Sequence, residues 1–71
     1  MQIKELIKKL KTLNQNKRVI INGYEGGYSD ITELEELKIA LNVNKGEWYF
    51  GLHDDARGHT YTETDEAVLI S

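Results

Sequence analysis

Apolar residues recur along this chain in two different rhythms. Ile3, Leu6, Ile7, Leu10 and Leu13 stand three, one, three and three apart, which places them on one stripe of an α-helix, with Lys4, Lys8 and Lys11 on the opposite side. Asn14-Gln15-Asn16 brings in poor helix formers, so the helix is predicted to end near Leu13 or Asn14. Val19-Ile20-Ile21 is a β-branched run that stops at Asn22-Gly23 and reads as a strand. The segment 23–30 holds three glycines in eight residues and reads as an ordered loop.

Residues 31–43 fit both rhythms. Asp30 followed by Glu33 resembles a helix cap, with Ile31, Leu34, Leu37 and Leu41 on one helical face. Leu37, Ile39, Leu41 and Val43 also alternate strictly with Glu36, Lys38, Ala40 and Asn42, the strand period. Asn44-Lys45-Gly46 and the β-prone Glu47-Trp48-Tyr49-Phe50 that follow favour a hairpin of about residues 36–43 with 47–52. Residues 53–65 are polar and aperiodic, and Glu66-Ala67-Val68-Leu69-Ile70 closes the chain as a last strand. The predicted fold is α+β: a single domain, residues 1–71, with one N-terminal amphipathic helix packed on a small antiparallel sheet of about four strands in the order α-β-β-β-β. One helix covers one face of such a sheet. The other face is expected to carry Ile20, Ala40, Tyr49 and Leu69, and an uncovered patch of that kind usually marks an interface or a groove.

Size and charge sharpen this picture. A chain of 71 residues buries only about 60% of its unfolded surface, and without cysteine it has neither disulfides nor thiolate metal sites to compensate. Assembly with copies of itself, as a dimer or higher homo-oligomer, is therefore expected. Residues 1–18 carry six basic and one acidic side chain, net +5, whereas residues 19–71 carry three basic and eleven acidic, net −8. The acidic remainder disfavours duplex nucleic acid as a partner. No run approaches the roughly 20 apolar residues of a membrane span, and the start of the chain has no apolar signal stretch. No membrane association is expected, and the pattern is that of a soluble cytoplasmic protein.

Candidate chemistry is sparse. His53-Asp54-Asp55 with His59 is the one cluster resembling a metal or acid–base site, but its spacing matches no established motif. No metal and no cofactor is expected, and binding is favoured over catalysis. Tyr24-Glu25-Gly26-Gly27-Tyr28 lacks the Gly-Lys-Ser/Thr of a phosphate-binding loop and does not open a helix as a dinucleotide fingerprint would. Its tyrosines could flank a planar ligand, with the amides of Gly26 and Gly27 on polar edges; packing of the tyrosines around a glycine turn is the plainer alternative.

The segments Glu5-Leu6-Ile7-Lys8-Lys9-Leu10-Lys11-Thr12-Leu13 and Arg18-Val19-Ile20-Ile21-Asn22-Gly23-Tyr24-Glu25-Gly26-Gly27-Tyr28-Ser29-Asp30-Ile31 resemble a group of small, largely uncharacterised bacterial and phage proteins. In these a leucine-rich helix leads into a strand ending in a Gly-Tyr-Glu-x-Gly-Tyr-Asp-like loop. Trp48-Tyr49-Phe50-Gly51 and His53 are similar to the hairpin that follows there. Ser29 and the turn Asn14-Gln15-Asn16-Lys17 depart from the group's pattern. The resemblance implies a phage or mobile-element setting, in the host cytoplasm, where small oligomeric proteins counter host defence.

The leading expectation is a ligand-binding protein, a phage-type anti-defence sponge that sequesters a nucleotide-like signal between subunits. Tyr24, Gly26, Gly27, Tyr28, Trp48, His53, Arg57 and Arg18 would form its site. The alternative is an acidic inhibitor or adaptor acting on a host protein, a nucleic-acid mimic in charge, through Asp54, Asp55, Glu63, Asp65 and Glu66. The third is a small hydrolase using His53 and Asp54. Size-exclusion chromatography with light scattering should return a mass above that of the monomer; a monomer would remove any pocket between subunits.

Overall fold

The computed structural model describes residues 1–57 and 60–71. It shows an α+β chain in two compact units, Met1–Ile31 and Thr32–Ser71. Among the described residues, no helix is long and apolar enough to cross a membrane.

The first unit opens with helix α1, Ile3–Leu10. Glu5 in its first turn and Lys8 and Lys9 in its last complement the helix dipole. The amide of Lys11 still donates to the Ile7 carbonyl (3.0 Å), but Thr12 and Leu13 donate to Lys9 and Leu10, tightening the last turn to three-residue spacing. The Gln15 side chain then donates to the carbonyls of Leu10 (3.0 Å) and Leu13 (2.8 Å), and Asn14 Oδ1 accepts from the Asn16 amide. The polar run predicted to stop the helix does so by caps of its own side chains, about one turn earlier than the apolar stripe suggested.

Strands β1 (Ile20–Asn22) and β2 (Tyr28–Asp30) pair antiparallel, with Ile20 opposite Asp30 and Asn22 opposite Tyr28. The expected glycine loop is thus the closing turn of a two-stranded ribbon. Gly27 sits at φ +64° and Gly26 at φ +142°, both in the region that favours glycine. At Gly23 the constraint is proximity: a Cβ there would collide with the Gly26 carbonyl oxygen. Within this unit the backbone of α1 makes no close approach to the ribbon.

The second unit is a three-stranded antiparallel sheet in the order β4-β3-β5, with β3 at Leu34–Ala40, β4 at Asp54–Asp55 and β5 at Thr64–Ile70. All seven residues of β3 pair with β5, from Leu34 opposite Ile70 to Ala40 opposite Thr64. At the far end, the amides of Thr32 and Glu33 converge on the Ser71 carbonyl oxygen at 2.7 and 2.8 Å. At the near end, Asp54 and Asp55 pair with Ala40 and Ile39, and the Ala56 amide reaches the Lys38 carbonyl (3.0 Å). Among the described residues, full burial of apolar side chains is confined to Ala40 and Ala56.

Several expectations are corrected here. The single sheet of about four strands is instead two sheets, of two and three strands. Residues 31–43 do resolve in favour of a strand, but its partner is β5, some 30 positions away, and not residues 47–52. The reason is local: Asn42 turns into the left-handed region at φ +57°, ending the strand, and the β-prone run after it is consumed in turns. The polar segment 53–65 supplies the short β4. The expected shared patch does not form either. Ala40 and Leu69 face opposite sides of the three-stranded sheet by register, Ile20 lies in the other sheet, and Tyr49 lies in no strand.

Gly23→Ala should disorder the β1–β2 ribbon at a cost above about 1 kcal/mol, whereas Gly46→Ala meets open space and should be tolerated. Amide spectra of residues 20–30 and thermal unfolding of the two variants check this contrast.

Candidate functional site

One surface feature is the loop that joins β3 to β4. Its root is made by the ladder: past Ala40, the Leu41 amide donates to the Glu63 carbonyl (3.0 Å). Three further hydrogen bonds tie the loop's two arms. The Asn42 amide donates to His53 Nδ1 (3.0 Å), the Asn44 amide to the Leu52 carbonyl (3.1 Å), and Asn44 Nδ2 to the Gly51 carbonyl (2.8 Å). Asparagine suits both positions, since it tolerates a left-handed backbone and its amide side chain can stand in for a peptide group.

Inside these ties the chain makes tight turns. The Glu47 amide donates to the Asn44 carbonyl (3.2 Å), and the Phe50 amide to the Glu47 carbonyl (2.9 Å). Trp48 and Tyr49 therefore occupy the two central positions of a four-residue turn. Their ring centroids lie 5.6 Å apart with planes at 87°, and Tyr49 meets Phe50 at 4.9 Å and 69°. These edge-to-face pairs leave the rings open to solvent: Trp48 is 92% exposed, Tyr49 63% and Phe50 57%. Hydrogen bonding to the Glu47 carboxylate raises the Tyr49 hydroxyl pKa above its ordinary value.

Such residues are not what a turn requires. Tight turns favour glycine, proline, asparagine and aspartate, each for backbone reasons, whereas tryptophan contributes to a fold by burying area. At 92% exposure Trp48 buries almost none within its own chain.

The eight sequence-predicted site residues fall on both units. Arg18, Tyr24, Gly26, Gly27 and Tyr28 belong to the first, and Trp48, His53 and Arg57 to the second. Tyr24 is fully exposed at the tip of the ribbon, and Tyr28 begins β2 opposite Asn22. Arg18 Nε pairs with Asp30 Oδ1 at 3.1 Å. Trp48 and His53 are joined by one loop, with His53 at its root and Trp48 at its tip. Arg57 follows β4 by two residues. Its guanidinium is gripped by Asp55, with Nη2–Oδ2 at 2.6 Å and Nε–Oδ2 at 2.9 Å, and Nη1 reaches Glu35 Oε2 at 3.2 Å. Glu35 and Asp55 share one face of the sheet, Asp55 through its register with Ile39. Both carboxylates raise the Arg57 pKa above its usual value, with Asp55 dominant.

His53 Nδ1 is occupied by the Asn42 amide, and Asp54 Oδ1 accepts from the Asp55 amide. No group of three or more metal-ligating side chains is found among the described residues, and His59 lies outside them. Sequence reasoning singled out Trp48 and His53 but missed Asn42 and Asn44, which fasten the loop, and Tyr49 and Phe50, which share its surface. It also missed Glu35, whose approach to Arg57 depends on the sheet register.

His53→Ala should speed hydrogen exchange at the Asn42 amide while leaving the Leu37 amide, in the middle of β3, at its wild-type rate; residue-resolved exchange by NMR reads both. No family model matches this chain, and neither a curated protein nor a solved structure matches it.

Proposed function

We propose that the chain is a protein-interaction module of adaptor or inhibitor type, which engages a partner protein through the aromatic loop of residues 42–53 and the acidic surface beside it. The observation that carries this reading is the display of Trp48, Tyr49 and Phe50 on a turn whose arms are fastened by Asn42, Asn44 and His53. Tryptophan and tyrosine on a rigid backbone are the material of binding hot spots, because they contribute large contact area and lose few rotamers on binding. Asp54, Glu63, Asp65 and Glu66 would supply the acidic rim, which steers a basic partner more than it binds one.

A nucleotide-like ligand is the second reading, and the fully exposed ring of Tyr24 beside Gly26 and Gly27 is what favours it. It has less support. The two arginines expected to take a phosphate, Arg18 and Arg57, already meet carboxylates, so an anion would have to displace those partners.

The triple variant Trp48→Ala, Tyr49→Ala, Phe50→Ala tests the first reading. Its unfolding free energy should stay within about 0.5 kcal/mol of wild type, since the rings are exposed. Proteins captured from cell lysate by the immobilised wild type should be lost with the variant. Equal capture by both would overturn the reading, and a nucleotide retained by wild type in native mass spectrometry would favour the second.

A further inference from the structure

We infer that the tip of the loop is a receptor for a cationic side chain, a lysine or arginine presented by the partner polypeptide; this deepens, and rests on, the reading of the chain as an interaction module. Three observations converge on it. The first is the ring geometry. Aromatic faces carry negative potential, indole most strongly, and cations are held best where rings of different orientation meet. Trp48 and Tyr49 stand at 87° to each other, and the 92% exposure of Trp48 leaves its indole face available.

The second is Glu47, which opens the same turn and places its carboxylate against the Tyr49 hydroxyl. A formal negative charge thus stands beside Tyr49, the ring that meets Trp48. The third is the field of the whole unit. Residues 32–71 carry nine acidic and three basic side chains, net −6. Of the three cations, Arg57 is bound by Asp55 and Glu35, and Lys38 lies opposite Glu66 in the sheet. Lys45, within the loop, opposes the field but is outnumbered. The second unit's own charge thus favours a cation over an anion as its ligand. An uncharged apolar partner would use the rings but leave Glu47 without a role.

Trp48 is the one tryptophan of the chain, so its fluorescence reports on this tip alone. The full-length protein, at physiological salt, is titrated with an oligo-arginine peptide, and with oligo-glutamate and Gly-Ser peptides of the same length. The expected result is a saturable change with oligo-arginine and none with the other two. By calorimetry, Trp48→Leu, which keeps apolar bulk without the aromatic face, should weaken oligo-arginine binding roughly 2- to 30-fold. Trp48→Phe should recover part of that loss, and Glu47→Gln should also weaken binding. No fluorescence change, an equal response to the neutral peptide, or equal affinity of Trp48→Leu and wild type would overturn the cation site. So would a Trp48 signal that shifts with protein concentration alone, which would assign the tip to a second copy. Loss of the cation site would leave the interaction reading standing if the triple alanine variant still loses its captured partner.

Discussion

The pairing of β3 with β5 is the constraint on which the rest of the second unit depends. Seven residue pairs run without interruption from Leu34 and Ile70 to Ala40 and Thr64, and the ladder fixes what happens at both of its ends. Beyond Ala40 the bond from Leu41 to Glu63 brings the two departing chains together, which roots the loop of residues 42–53 on the sheet. Register also decides which charges meet. With Glu35 and Ile39 on one face and Asp55 opposite Ile39, two carboxylates come within reach of a single arginine. A slip of one residue would turn each of those side chains to the other face. It would also part Arg57 from Glu35.

Local order in this chain comes more from hydrogen bonds than from buried area. Full burial reaches only Ala40 and Ala56 among the described residues, while Ile3, Ile7, Leu10, Trp48 and Leu69 remain exposed. Caps, turns and ladders therefore do much of the shaping: Gln15 at the end of α1, the glycines of the ribbon turn, and asparagines at the root of the aromatic loop. Each satisfies backbone groups within a few residues of itself, which a short chain can do without a large core.

What the sequence made legible follows the same division. The amphipathic helix and its polar stop could be read directly, because 3.6-residue periodicity and helix breakers are local signals. The strand at residues 34–40 was legible as a period-2 alternation, yet its partner was not, since pairing with residues 64–70 is set by tertiary register. The run Glu47-Trp48-Tyr49-Phe50 shows the opposite failure. Its composition is β-prone, but Asn42 at φ +57° and the double tie from Asn44 turn the backbone before a strand can form. Of the candidate site, Trp48 was visible within the aromatic run Glu47-Trp48-Tyr49-Phe50 and His53 at the head of the polar run His53-Asp54-Asp55. Their shared loop, and the structural use of His53 as an acceptor for Asn42, emerge only with the hydrogen-bonding pattern.

The central claim is that residues 42–53 form an ordered platform and that Trp48 and Tyr49 are exposed because they are displayed, not because the segment is loose. Backbone heteronuclear NOE values across this loop test it most directly. If the ties from Asn42 and Asn44 hold, the amides of residues 44–52 should show values close to those of β3 and β5. Values falling toward those of a flexible chain would contradict the account.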